Sequence, residues 1–209
     1  MANWLPSGEL GGQPAAPDPD SLQAHALDHL KFIRDTMERA GSFTAVSGWG
    51  QVVVGVIALL AALAASRATT PEAGVRIWLG AAGAALVVAA GGMTLKARAT
   101  RTPLFSGPGR KFVSSFSPPL LAGAVLTIVT YRAGQFDWLP GIWLLLFGTA
   151  VMTGGAFSVR VVPIMGLCFM VLGACALVAP ASLANVLLAV GFGGVHLVFG
   201  IVIAVKYGG

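Results

Sequence analysis

A chain of 209 residues with 56% apolar and only 10% charged side chains has too little polar surface for a water-soluble globule, where charged residues make up about a quarter. Thirteen Lys and Arg against eight Asp and Glu give a formal charge of +5. In so apolar a chain that excess points to cytoplasmic loops and anionic headgroups, not to nucleic acid. The composition excludes a soluble globular enzyme and predicts an all-α, polytopic membrane protein.

Residues 1–19 hold Gly8, Gly11, Gly12 and four prolines, Pro6, Pro14, Pro17 and Pro19, with no periodic apolar pattern. They read as a disordered tail. The start has neither a basic n-region nor an apolar h-region, so no cleaved signal peptide is expected and the first span must direct insertion.

Residues 20–41 change in texture. Asp20 is a plausible N-cap with Gln23 three positions on, and Leu22, Ala26, Leu30, Ile33 and Met37 recur at helical spacing as far as Gly41. This predicts an amphipathic juxtamembrane helix whose polar side carries Asp28, Lys31, Asp35 and Arg39. His25 and His29 are spaced i, i+4 beside Asp28, a geometry that can hold a divalent metal, but two ligands make a weak site. An interfacial helix flank is expected instead.

Residues 46–205 form the membrane domain, with apolar segments at 46–65, 75–95, 113–131, 138–159, 162–179 and 183–205. Each is close to the ~20 residues that cross a ~30 Å hydrocarbon layer. Trp49, Trp78, Trp138, Trp143, Tyr131 and Tyr207 fall near the proposed interfaces, and Pro71, Pro140, Pro163 and Pro180 in loops or first turns. Short outer loops pair the spans as three hairpins. Ile77-Trp78-Leu79 recurs as Ile142-Trp143-Leu144, each ahead of a Gly-Gly pair, Gly91-Gly92 and Gly154-Gly155, which hints at a tandem repeat. Lys31, Arg34, Arg39, Lys96, Arg98, Arg101, Arg110, Lys111, Arg160 and Lys206 fall on one side and only Arg67, Arg76 and Arg132 on the other, so both termini are expected in the cytoplasm.

The candidate sites are few. None of the eight acids, Glu9, Asp18, Asp20, Asp28, Asp35, Glu38, Glu72 and Asp137, lies well inside a span, which counts against a proton- or cation-coupled transporter. His196 is the one ionisable side chain deep in a span. It lacks a second core histidine for bis-histidine haem, so no haem or other cofactor is expected; its bland role is an interhelical hydrogen bond. Pro118 and Pro119 would leave only about a dozen residues of span before Arg132, roughly 20 Å of helix, and predict a kinked or partly re-entrant third span. In the second loop, residues 104–112, glycines beside Arg110 and Lys111 could hold a lipid phosphate, although the run is no P-loop and reads first as a tight turn with basic anchors. Cys168 and Cys175, seven apart on one helix, are about 10 Å apart and read as packing residues rather than a disulfide or metal pair.

The run His29-Leu30-Lys31-Phe32-Ile33-Arg34-Asp35-Thr36-Met37-Glu38-Arg39 and on to Val46 resembles a family of uncharacterised bacterial inner-membrane proteins. So do the loop Ser106-Gly107-Pro108-Gly109-Arg110-Lys111-Phe112 and the tail Gly191-Phe192-Gly193-Gly194-Val195-His196. The resemblance covers most of residues 25–209 and implies a multi-span protein of the bacterial inner membrane, with no assigned activity. By hydropathy layout, not by motif, the three hairpins are also similar to the small six-span acid-resistance membrane proteins.

These readings lead to one functional expectation: no enzyme, but an integral membrane component that acts as scaffold, accessory subunit or regulator. Membrane lipids, and a protein partner or second copy held through small-residue helix faces, are the expected partners. Gly80, Gly83, Ala84, Gly193, Gly194 and Gly200 are the candidate seam residues. The competing expectation is a small-solute or ion channel or transporter with a cavity bordered by Pro118, Pro119 and His196.

Overall fold

In the computed structural model, residues 27–33, 47–99 and 107–207 are described. The chain divides into two units, Met1–Ala40 and Gly41–Gly209. In the first unit a short helix, α1, covers 27–33 with Leu27, Leu30, Phe32 and Ile33 exposed. The expected tail, most of the amphipathic helix and His25 lie outside the described residues.

The second unit holds helices α2 (Gly48–Ala65), α3 (Pro71–Ala99), α4 (Gly107–Arg132), α5 (Leu139–Gly155), α6 (Val161–Val178), α7 (Ala184–Leu188) and α8 (His196–Tyr207). A π-helical stretch, Ala189–Val195, joins α7 to α8. Among the described residues six segments are long and apolar enough to cross a membrane, the last running from Ala181 to Tyr207. The protein is an all-α, multi-pass membrane protein. Large side chains such as Leu86, Leu121, Ile128 and Val171 cover its outside, as a lipid solvent allows.

Local chemistry sets the helix ends. Ser47 caps α2 by accepting from the Gly50 N–H at 3.1 Å, and Thr70 caps α3 by accepting from Ala73 N–H ahead of a proline in the first turn. After α4, Gly134 takes a left-handed φ of 69°. Its successor Gln135 donates its N–H back to the Thr130 carbonyl at 2.9 Å, a closure that turns the chain towards α5.

The strongest helix contacts form a row, and α3 also touches the turn Phe136–Trp138 ahead of α5. α3 lies on α2, α2 on α8 and the π segment, α6 on α5, and α5 on α4; α7 and the π segment join the α2–α8 half to the α5–α6 half. Consecutive spans run antiparallel as hairpins, but the last one opens, with α6 lying along α5 and α8 along α2.

Two seams hold the centre of the row, and glycine builds both. Gly141, Gly148 and Gly155 of α5 lie against α6, Gly166 and Gly173 of α6 lie against α5, with Gly148 and Gly166 meeting directly, and Gly48 and Gly55 of α2 approach Gly200 and Gly193. The seven-residue spacing returns each glycine to the same helix face every two turns, with a drift of only ~20°. A Cβ at Gly148 would stand 2.7 Å from the Gly166 carbonyl oxygen, and one at Gly200 2.8 Å from the Val52 nitrogen. The backbones approach so closely that no larger residue fits. Without a hydrophobic drive between helices in lipid, such dispersion contact is a principal source of association.

α4 differs from the sequence expectation. It starts at Gly107 and stays helical through Pro118 and Pro119, so its 26 residues reach about 39 Å and cross without re-entry. Arg110 and Lys111 thus belong to the start of a helix, not to a loop. The continuity has a physical reason. Pro119 cannot donate to the Ser115 carbonyl, and the Thr153 hydroxyl of α5 reaches that oxygen at 2.9 Å, sharing its one proton between it and the Thr149 carbonyl of its own helix at 2.8 Å.

Candidate functional site

The deepest polar group is His196, 2% exposed at the first position of α8. Its ring is enclosed by Phe169 of α6 at 5.1 Å between centroids, Phe147 of α5 at 5.4 Å and Phe192 of the π segment at 6.2 Å. At the end of the π segment the turn tightens: the His196 N–H goes to the Gly193 carbonyl three residues back, and the Nδ1 atom of the ring lies 2.9 Å from the Phe192 oxygen, the regular α-helical acceptor for that N–H. With Nδ1–H donating there, Nε2 carries the lone pair. The expected interhelical hydrogen bond is therefore replaced by one within the helix itself. Contact with other helices is through aromatic faces and edges, a geometry aromatic pairs favour.

These rings belong to a longer row. Phe112 stacks on Phe116, Phe116 meets Phe147 edge-on at 6.2 Å, Phe147 meets Phe169 at 4.9 Å, and Phe192 reaches Trp78 of α3 at 6.2 Å. Aromatic side chains thus occupy the route from the first half of α4 to His196. Pro118 is exposed and Pro119 half-buried on α4.

Three further polar junctions tie helices together. Trp78 Nε1–H donates to Asn185 Oδ1 at 3.1 Å, and Asn185 Nδ2–H donates to the Ala62 carbonyl at 2.9 Å, joining α3, α7 and α2. Trp143 Nε1–H donates to Thr127 Oγ1 at 2.8 Å, and that hydroxyl donates in turn to the Gly123 carbonyl. Thr153 supplies the third, at the proline pair. Trp78 is 7% exposed, and both indoles fasten helices. An asparagine inside an apolar run was the overlooked signal, since an unpaired amide in hydrocarbon is costly.

Arg110 and Lys111 stand exposed at the start of α4, with the Lys111 ammonium 5.9 Å above the Phe157 ring. Lys96, 8% exposed, donates to the Tyr207 carbonyl at 3.3 Å and so places a cation at the C-terminal end of α8. Cys168 and Cys175 are free thiols, half-buried and exposed respectively. Of the candidate small residues, Gly193 and Gly200 line the α2 seam, whereas a Cβ at Gly80, Gly83 or Gly194 would meet nothing within 4 Å. Among the described residues no three His, Cys, Asp or Glu side chains gather as a metal site would require.

No protein-family model, curated protein or solved structure matches this chain, so what it does has to be read from its own residues.

Proposed function

We propose that this protein is a non-catalytic component of the bacterial inner membrane, with both termini in the cytoplasm, acting as scaffold, accessory subunit or regulator of a membrane complex. One observation carries the reading: among the described residues no buried side-chain nitrogen or oxygen lacks a partner, and these bonds join helices or satisfy backbone. Asn185 bridges three helices, Thr127 and Thr153 fasten α4 to α5, and His196 bonds its own turn. They do not converge on a common point, as the groups of a catalytic or solute site must. The lipid-facing small residues Gly80, Gly83 and Ala84 on α3 add support, because faces of this kind let another transmembrane helix approach closely.

Extraction in mild detergent followed by native mass spectrometry tests the proposal. A stoichiometric protein partner, together with no solute flux from liposomes holding the purified chain, is expected. A chain that emerges alone and moves a solute in a manner abolished by His196→Ala would establish the transporter reading in its place. Orientation is tested separately with single cysteines at Thr70, Gln135 and Ser158 on a background lacking Cys168 and Cys175. An impermeant thiol reagent added to intact cells should label the first two and spare the third.

A further inference from the structure

Two helix N-termini at one end of the bundle carry an acid, while the last span, which begins at that end near Ala181, does not. At the end where α3 and α5 begin, Glu72 lies in the first turn of α3 and Asp137 just precedes α5, so a carboxylate accompanies the positive end of each helix. At the other end α2, α4 and α6 begin with no acid in the first turn. Two of them carry cations instead: Arg110 and Lys111 at the start of α4, and Arg160 immediately before α6. Within the bundle the described acids are Glu72 and Asp137 alone, and neither is at this end.

Packing brings the start of α4 to the turn that precedes α6. The Lys111 ammonium rests on Phe157, in the turn that leads to Arg160, and a Cβ on Gly154 would touch Phe112 and Phe116 at 3.3 and 3.1 Å, which sets the start of α4 against the end of α5. Neither Arg110 nor Arg160 forms an ion pair with a described residue. Cations beside positive helix ends repel one another unless an anion is added. Deeper along the same helices the surface turns apolar: Val113 follows Arg110 by three residues and Ile164 follows Arg160 by four, spacings that share a helix face, and both are more than half exposed. A cationic rim above an apolar wall has the polarity of a phospholipid, headgroup outward and acyl chain inward.

We propose that Arg110, Lys111 and Arg160 seat the phosphate of an anionic phospholipid of the surrounding bilayer, its acyl chains lying along Val113 and Ile164. The seat is independent of whether the protein serves as scaffold or transporter. The test compares the full-length protein with Arg110→Gln/Lys111→Gln/Arg160→Gln in nanodiscs of mixed phosphatidylglycerol and phosphatidylcholine, reading retained lipid by native mass spectrometry. The control is Arg67→Gln/Arg76→Gln/Arg132→Gln, which removes the same charge from the other end. Preference for phosphatidylglycerol should fall by about tenfold or more in the first variant and hold in the control, since each cation at an anionic surface contributes appreciably to lipid attraction. Arg110→Lys/Arg160→Lys should retain most of it and show that the chain still folds. Equal loss in both triple variants, or no preference in the parent protein, would overturn the proposal. Displacement of the lipid by millimolar inorganic phosphate would overturn it too, by revealing a soluble-anion site.

Discussion

The seam between α5 and α6 and the outer face of α3 are built from the same small residue and do opposite things with it. In the seam, Gly148 and Gly166 bring two backbones so close that a Cβ on Gly166 would lie 2.6 Å from the Met152 nitrogen. On α3, Gly80 and Gly83 face open space, and a side chain added there would meet nothing. Small residues in lipid therefore carry no meaning by count. Where they recur every seven positions on two facing helices they close a seam, and where one helix shows them without a partner they leave a face uncovered.

That contrast breaks most visibly at the seam. Gly148→Ala should destabilise the bundle by about 1–3 kcal/mol, because the methyl has backbone on both sides and forces α5 and α6 apart. Thermal unfolding in detergent would show it as a lowered midpoint, and an unchanged midpoint would mean the seam is looser than described. Gly200→Ala, against the Val52 nitrogen, should act in the same direction on the α2–α8 seam.

A smaller effect is expected at the three-helix junction. Asn185→Leu removes both the acceptor of the Trp78 indole and the donor to the Ala62 carbonyl, and hydrogen bonds between transmembrane helices average about 0.6 kcal/mol, so a loss near 1 kcal/mol follows. Trp78→Phe should lose less, and combining the two should cost less than their sum. Simple additivity would show that the indole and the amide do not interact.

The proline pair sharpens the comparison further. Thr153→Val takes from the Ser115 carbonyl a donor it shares with the Thr149 carbonyl and should lower stability by up to roughly half a kcal/mol, the size of an ordinary interhelical bond. In a Pro119→Ala background the helix supplies its own donor to that oxygen, so Thr153→Val should then have little effect. An equal effect in both backgrounds would break the account of why α4 runs unbroken.

Much of the architecture was legible because hydropathy is a solvent argument: the spans at 46–65 and 162–179 correspond closely to α2 and α6. The start of α4 was not, since glycine and proline at 107–109 read as a turn until the helix is seen to begin there. Continuity through Pro118 and Pro119 rests on Thr153, a residue 38 positions from Ser115, and no local reading supplies that partner. His196 was legible as buried, but its acceptor, the Phe192 oxygen that the His196 N–H forgoes for Gly193, is not disclosed by spacing in the sequence. The glycine spacing at 141, 148 and 155 and at 166 and 173 was present to be read, and it is the signal that the pairing of α5 with α6 required. The Ile-Trp-Leu repeat proves structurally uneven, since Trp78 reaches forward to α7 while Trp143 reaches back to α4.

The most direct test of the scaffold account lies on the open face of α3, where a change should leave the chain intact and affect only what it holds. Native mass spectrometry of Gly80→Leu/Gly83→Leu, extracted under the same conditions as the parent protein, should show the same unfolding midpoint and the loss of a stoichiometric partner. A partner retained in full by this variant, or a parent protein that carries none, would contradict the account.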